Sequence, residues 1–187
     1  MHAGLQIRVE LDPDPPNPRE EAGLLGRLAC WGRYAHLSEL AVLNHQDAAT
    51  LAAAYEAKVW LPLCATEQGG LSTPTAEHQH QDGLAQPTGI IYATTQDIRQ
   101  RLRVWRVSRR SRGQASAIMQ MEVEDYDCFL RGEMYRFVMW GQDGQLVDYR
   151  GGYYGQDYAA AEARHYAAHH AAHLFRYAPE RLGQARP

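Results

Sequence analysis

Residues 133–149, EMYRFVMWGQDGQLVDY, predict the fold class of this chain more clearly than any other stretch. Residues 133–140 are rich in the aromatic and branched side chains that strands favour. Gln142-Asp143-Gly144 is a hairpin turn, and residues 145–149 predict a returning strand. Because a tight hairpin pairs its strands antiparallel, we expect a mixed or antiparallel sheet rather than a fully parallel one.

Working outward from this hairpin, three further stretches predict strands and five predict helices. Alternation of apolar and polar residues predicts a strand over residues 5–11, and apolar runs predict strands over 58–64 and 88–93. Pro62 places the strand over residues 58–64 at a sheet edge or a bulge. Residues 151–155, GGYYG, predict a flexible turn. Helices are predicted over residues 19–31, 47–56, from a Thr94 or Thr95 cap to Trp105, 114–130 and 157–177.

The irregular order of these helices and strands indicates an α+β fold. We expect a single domain over residues 1–180, with about four to five strands in one sheet and about four to five packed helices, and a polar tail over residues 181–187. A chain of 187 residues suits one domain, and 45% apolar residues are enough for a core.

Composition narrows the function classes only a little. The net charge of −3 gives no global sign of a nucleic-acid or membrane partner. No stretch approaches the ~20 apolar residues of a membrane helix, and the N-terminus lacks a signal-peptide pattern, so we expect a cytoplasmic protein. Cys30, Cys64 and Cys128 lie far apart, which predicts free thiols in a reducing compartment.

Seven arginines crowd residues 99–112, around Trp105, and an acidic run follows over residues 122–127. Three interpretations stay open: a solvated or internally paired face, a surface for a protein partner, and phosphate contacts with a nucleic acid. The polar stretch over residues 67–87 is a second candidate contact surface. The candidate partner-binding residues are Arg99, Arg103, Arg106, Arg109, Arg110, Arg112, Glu122 and Asp125.

Two groups of histidines are candidate metal ligands. His165, His169 and His173 recur every four residues in the last predicted helix, where two such side chains can chelate a metal. They lie about half a turn from the alanine stripe of that helix, so we expect them to face water. His78 and His80 lie in the long polar stretch. Solvation, partner contact and metal binding stay open for the helix histidines, and solvation and metal binding stay open for His78 and His80.

The sequence lacks the motifs of the common enzyme classes. It contains no nucleophile elbow, phosphate-binding loop, dinucleotide fingerprint or HExxH. We therefore predict no catalytic residue and no cofactor, and a non-enzymatic role is favoured.

A series of short motifs runs through residues 5–156. Its members are NPRE (17–20), CWGRY (30–34), WLPL (60–63), GGLSTP (69–74), GIIY (89–92), YDCFLRGEMY (126–135) and GGYYG (151–155). In this order the motifs resemble a family of small accessory proteins carried by phages and plasmids. Family members tend to have an Asp-His pair where this chain has Thr66-Glu67, and a Trp-Asp-Ser-Gly run where it has a His- and Gln-rich stretch.

The resemblance implies an accessory protein of a mobile element, and small proteins of that kind often counter host defence. The first hypothesis is an inhibitor that acts by protein–protein interaction on a host defence protein or ribonucleoprotein such as a CRISPR–Cas complex. The second is a nucleic-acid-binding accessory protein that uses residues 99–112. The third is a metal-dependent enzyme with a histidine-based site. No membrane partner is expected.

Overall fold

The computed structural model describes residues 5–39, 47–66, 68–74, 87–141 and 143–177, with side chains described up to residue 169. The strands are β1 (Gln6–Leu11), β2 (Arg27–Cys30), β3 (Val59–Ala65), β4 (Leu71–Ser72), β5 (Pro87–Ala93), β6 (Met134–Trp140) and β7 (Leu146–Tyr154). The helices are α1 (Ala48–Ala54), α2 (Thr95–Leu102), α3 (Arg109–Leu130) and α4 (Gln156–Tyr177), with short 3-10 helices at Pro18–Glu20 and Gly32–Leu37.

The α+β class is confirmed, and all strand pairs of the described residues are antiparallel. The strands divide between two sheets, one of three strands and one of four, rather than forming one. The chain groups into two compact units, residues 1–16 with 132–187 and residues 17–131. The single domain over residues 1–180 stays a prediction, and residues 181–187 lie outside the described residues.

In the unit of residues 1–16 and 132–187, the sheet order is β1-β6-β7. Helix α4 packs on this sheet, where Phe137 and Met139 of β6 form a buried cluster with Ala163 and Ala167 of the helix. The small alanine side chains let the helix backbone approach the sheet closely. The predicted hairpin is thereby confirmed as the central and edge strands of this sheet.

The GGYYG turn prediction is wrong, because β7 continues through residues 151–154. Tyr153 pairs with Tyr135, and Tyr154 pairs with Met134. Gly152 has a φ of +79°, which suits the register shift of the pairing at this point. Gly151 and Gly152 therefore lie at a bulge within the strand, and only Gly155 follows its end.

In the unit of residues 17–131, the sheet order is β2-β5-β3-β4. Strand β5 is covered on both faces: Ile90 and Tyr92 pack with Leu51 of α1, while Ile91 packs with Met119 of α3. A strand covered on both faces has no polar side, so residues 88–93 form an unbroken apolar run. The register of β3 shifts between Leu63 and Cys64, next to the predicted bulge.

The predicted helix over residues 19–31 is wrong. These residues form a short 3-10 turn and then strand β2, which pairs with β5. Gly26 lies so close to the core that an added Cβ would be 2.4 Å from Ile91 Cδ1 and 3.0 Å from Met119 Cγ. Tertiary packing and sheet pairing therefore override the helical spacing of the leucines.

Two helix boundaries also differ from those predicted. Helix α2 ends at Leu102 instead of Trp105, because Arg103 adopts the left-handed conformation. Helix α3 begins at Arg109 instead of residue 114, because Ser108 caps it. The predicted Asp47 cap of α1 is confirmed, with its carboxylate accepting the backbone N–H of Thr50 at 2.8 Å.

Within the described part of the chain, no helix combines the length and apolarity that a bilayer crossing requires. Of the predicted loop over residues 67–87, the structure describes 68–74, which include β4, and residue 87, where β5 begins. Residues 67 and 75–86 lie outside the described residues, and so do His78 and His80. The second contact surface therefore stays a prediction.

Candidate functional site

The candidate surface begins on helix α2, which is anchored by a capping box. The backbone N–H of Thr94 donates to Asp97 Oδ2 at 2.9 Å, and the backbone N–H of Asp97 donates to Thr94 Oγ1 at 3.3 Å. Asp97 also accepts a hydrogen bond from Arg27 at 2.7 Å. Although burial opposes its ionisation, the bonds from Thr94 and Arg27 hold the pKa of Asp97 below its usual range. With Ile98 fully buried, one side of α2 is fixed and the other faces solvent.

The turn after α2 holds Trp105 in solvent. Arg103 ends the helix at φ 53° and ψ 41°, a conformation that usually favours glycine. The backbone N–H of Val104 donates to the carbonyl of Arg99 at 3.2 Å, which closes the turn. Trp105 is 88% exposed, and the guanidinium carbon of Arg99 lies 5.3 Å from its ring centroid. The ring therefore sits beside a cation and contributes little to the core.

The surface continues into the first turn of helix α3. The N-cap residue Ser108 and Ser111 form a reciprocal capping box, and this turn contains no acidic residue. Arg109, Arg110 and Arg112 occupy it instead. Since the helix dipole places partial positive charge at this end, three cations here oppose the dipole.

The exposed side chains of residues 99–112 form what we call the Arg–Trp surface. It comprises Arg99, Arg101, Arg103, Trp105, Arg106, Arg109, Arg110 and Arg112, all of them exposed. In the part of the chain that the structure describes, none of these seven arginines is paired with a carboxylate. An open groove of about 660 Å³ runs beside Trp105, lined by Gln96, Arg99, Gln100, Arg103, Val104 and Trp105.

Glu122, predicted to contact a partner, instead accepts hydrogen bonds from the backbone of its own chain. Its carboxylate accepts the backbone N–H groups of Leu25 at 2.7 Å and Gly26 at 2.9 Å. Its side chain is 9% exposed and lies 3.8 Å from the guanidinium of Arg19, which is 7% exposed. We therefore remove Glu122 from the candidate surface, because its two oxygens hold the segment that leads into β2.

The rest of the acidic run does not neutralise the arginines in the described structure either. Asp127 accepts the backbone N–H of Leu71 at 3.0 Å and pairs with Arg131 at 2.9 Å. Asp125 is half-buried; its burial, and then the charges of Glu124 and its acidic neighbours, raise the pKa of Asp125. Asp125 thus lies in an acidic environment of its own, and its role as a partner contact stays a prediction.

A second cavity, of about 380 Å³, lies beside Arg19, Arg27 and Arg101. Two of these cations already have anionic partners, since Arg19 pairs with Glu39 and Arg27 pairs with Asp97. Because these two cations are already paired with carboxylates, we expect the cavity to bind an anion less strongly than the Arg–Trp surface does.

His165 and His169 lie on the exposed side of α4, opposite buried Ala163 and Ala167. The rings of His165 and His169 are 5.6 Å apart in an edge-on arrangement. The side chain of His173 lies outside the described residues. Among the described side chains, no group of three His, Cys, Asp or Glu residues is placed to hold a metal ion.

Cys30 is a buried free thiol in this structure, and Cys64 is buried as well. Burial raises the pKa of the Cys30 thiol to about 12, so this side chain is protonated at neutral pH. A buried, protonated thiol is a poor nucleophile and a poor metal ligand.

The arginines are evident in the sequence, but the two helix ends that present them differ from the predicted ones. Because the predicted α2 ran on to Trp105 and the predicted α3 began only at residue 114, the left-handed Arg103 and the cations in the first turn of α3 were not predicted. Ser108 before a run of helix-forming residues was the available signal for the earlier start.

Comparisons with known proteins add no further evidence on function. No family model matches the chain, and no curated protein or solved structure is significantly similar to it. The resemblance to phage- and plasmid-borne accessory proteins therefore stays a prediction from the motifs.

Proposed function

We propose that this protein is a non-enzymatic binding protein that engages an anionic macromolecular partner through the Arg–Trp surface. The observation that carries the proposal is the set of seven exposed arginines around a tryptophan that is 88% exposed, with no carboxylate paired to any of them in the described structure. Arginine and tryptophan are, with tyrosine, enriched among the residues that dominate binding energy at interfaces.

The electrostatics of the surface favour an anionic partner. Clustered cations of one sign repel each other and attract an opposite charge over about a Debye length, ~8 Å at physiological ionic strength. Guanidinium groups bind carboxylates and phosphates through two parallel hydrogen bonds, which adds geometric specificity. A partner that brings carboxylates or phosphates would relieve the repulsion and satisfy the unpaired donors.

The family resemblance supplies the expected class of partner. A phage- or plasmid-borne accessory protein meets its targets in the host cytoplasm, and we propose a host defence complex such as a CRISPR–Cas ribonucleoprotein. Binding at a surface that the complex needs for its own substrate would inhibit it without any chemical step. Such a complex exposes both acidic side chains and phosphates.

An affinity pull-down tests this proposal. The tagged protein is incubated with lysate of a defence-equipped host, with and without nuclease, and retained proteins are identified by mass spectrometry. We expect a stoichiometric complex with the wild type and its loss with the triple charge reversal R106E/R109E/R110E.

The matched control reverses three exposed cations outside the surface, Arg33, Lys58 and Arg164. This R33E/K58E/R164E variant has the same net charge as the test variant and should retain the partner. Equal retention by both variants, or equal loss, would refute the assignment of binding to the Arg–Trp surface.

A further inference from the structure

We infer that the groove beside Trp105 holds an unpaired base of a single-stranded nucleic acid while the surrounding arginines contact its phosphates. This inference rests on the proposed binding function and assigns its partner a chemical class. Its basis is the combination of one open aromatic ring, amide side chains and a track of cations within residues 96–112.

The exposed ring of Trp105 is a stacking platform. Trp105 is 88% exposed, and the guanidinium carbon of Arg99 lies over its ring at 5.3 Å from the centroid, so a base would stack on the opposite face. Every nucleobase has a π-face that can stack on an indole ring, and a neighbouring guanidinium adds a cation–π contact. A base in this position would cover apolar surface that the described fold leaves in water.

The groove has the chemistry to hold a nucleotide. Its volume is about 660 Å³, and Gln96 and Gln100 line it together with Arg99 and Arg103. Amide side chains both donate and accept hydrogen bonds, as the edges of an unpaired base require. The groove therefore offers base contacts, and the exposed Arg106 and the arginines of the α3 first turn, which follow it in the chain, are the proposed phosphate contacts.

Two competing partners fit these features less well. In a duplex the bases are stacked on each other, so Trp105 would have no free base face to contact. An acidic peptide would satisfy the arginines, but its carboxylates would leave the indole ring without a stacking partner. The ring and the amides together favour a single strand.

Fluorescence anisotropy tests the inference with labelled single-stranded RNA of about 12 nucleotides, within the known range of site sizes, and with a duplex of the same sequence. W105A should weaken single-strand binding roughly 5- to 150-fold, as the loss of one stacked base predicts, and leave duplex binding unchanged. W105F, which keeps a stacking ring, should restore most of the affinity.

The arginines are tested separately through salt dependence. The plot of log affinity against log salt has a negative slope, to which each phosphate contact to a single strand contributes about 0.7. The neutral variant R109Q/R110Q should therefore make this slope less steep by about 1.4. M121A removes an exposed apolar side chain of the same unit outside the groove and should bind like the wild type. Thermal melts of each variant show whether it is folded.

The outcomes separate this inference from the proposed function. A W105A effect that is absent, or equal on single strand and duplex, overturns the inference. The inference is also overturned if the wild type does not bind RNA but retains a nuclease-resistant protein partner that R106E/R109E/R110E loses. In that case the proposed function still stands. If neither RNA nor any lysate component depends on the Arg–Trp surface, both proposals fail.

Discussion

Reversing the charge of Arg109 and Arg110 should stabilise the protein while abolishing partner binding. Both side chains are exposed in the first turn of α3, where the helix dipole is positive and no acidic residue is present. R109E/R110E replaces two repelled cations with two attracted anions. The structure therefore predicts opposite effects on stability and on binding, which a purely structural role of these residues would not produce.

The magnitude follows from the helix dipole. A charge in the first turn is worth about 0.3–1 kcal/mol at an exposed site, and we take the lower end because both side chains are in solvent. Each reversal removes the repulsion between a cation and the helix dipole and adds the attraction of an anion. It therefore raises the free energy of unfolding by about 0.6 kcal/mol, and the two reversals together raise it by about 1.2 kcal/mol. For a chain of 187 residues this corresponds to a rise in Tm of roughly 2–5 °C.

Thermal unfolding followed by circular dichroism at low ionic strength measures this gain. R106E is the matched control, because Arg106 lies in the turn before the helix and has the same charge. It should weaken binding without the dipole-derived rise in Tm. In 1 M salt, where the Debye length is about 3 Å, the gain of R109E/R110E should largely disappear. A fall in Tm at low salt would refute the reasoning, since it would mean that these arginines already have favourable partners in the fold.

Two further predictions concern the unit that carries the surface. G26A should destabilise it by roughly 1–3 kcal/mol through overpacking, because the new Cβ would lie 2.4 Å from Ile91 Cδ1, as chemical denaturation would show. D125N should raise Tm at pH 7, because burial and then Glu124 raise the pKa of Asp125 in the folded state, so that its ionisation opposes folding. That gain should shrink as pH falls through the folded-state pKa of Asp125 towards its unfolded value of about 3.9 in a pH series of melts.

Each of these variants has a control within the chain. Gly113 lies in the exposed part of α3 with nothing within 4 Å of an added Cβ, so G113A should stabilise by about 0.5–1 kcal/mol where G26A destabilises. D14N changes an exposed acid and should show no comparable rise in Tm at pH 7. A G26A protein as stable as the wild type would contradict the close packing of the segment that leads into β2. A pH-independent gain in D125N would contradict the assigned ionisation of Asp125.

The acidic run shows why a candidate site could be only partly predicted from sequence. Glu122 and Asp127 looked as accessible to a partner as the arginines before them, yet both accept backbone N–H groups of distant segments. Nothing local distinguishes a carboxylate that serves a remote backbone from one in solvent. The arginines have no such use in the described structure.

The sequence by itself determined the elements whose signals are local. The hairpin of β6 and β7, the apolar run of β5 and the Asp47 cap of α1 depend on turn chemistry, continuous burial and a hydrogen bond three residues away. The concentration of arginines around Trp105 was also evident from sequence, because charge density is a property of composition.

Only the tertiary structure decided that residues 19–31 form a 3-10 turn and a strand instead of a helix. It also decided which arginines are paired with carboxylates. The leucines there have a spacing that suits a helix, but antiparallel pairing with β5, contact of Gly26 with Ile91 and the carboxylate of Glu122 all require an extended chain. Those contacts join residues up to about a hundred positions apart, as the 97-residue separation of Leu25 and Glu122 shows. Pairing at such separations depends on the whole fold, so no local pattern could show which charges were satisfied and which remained free to bind.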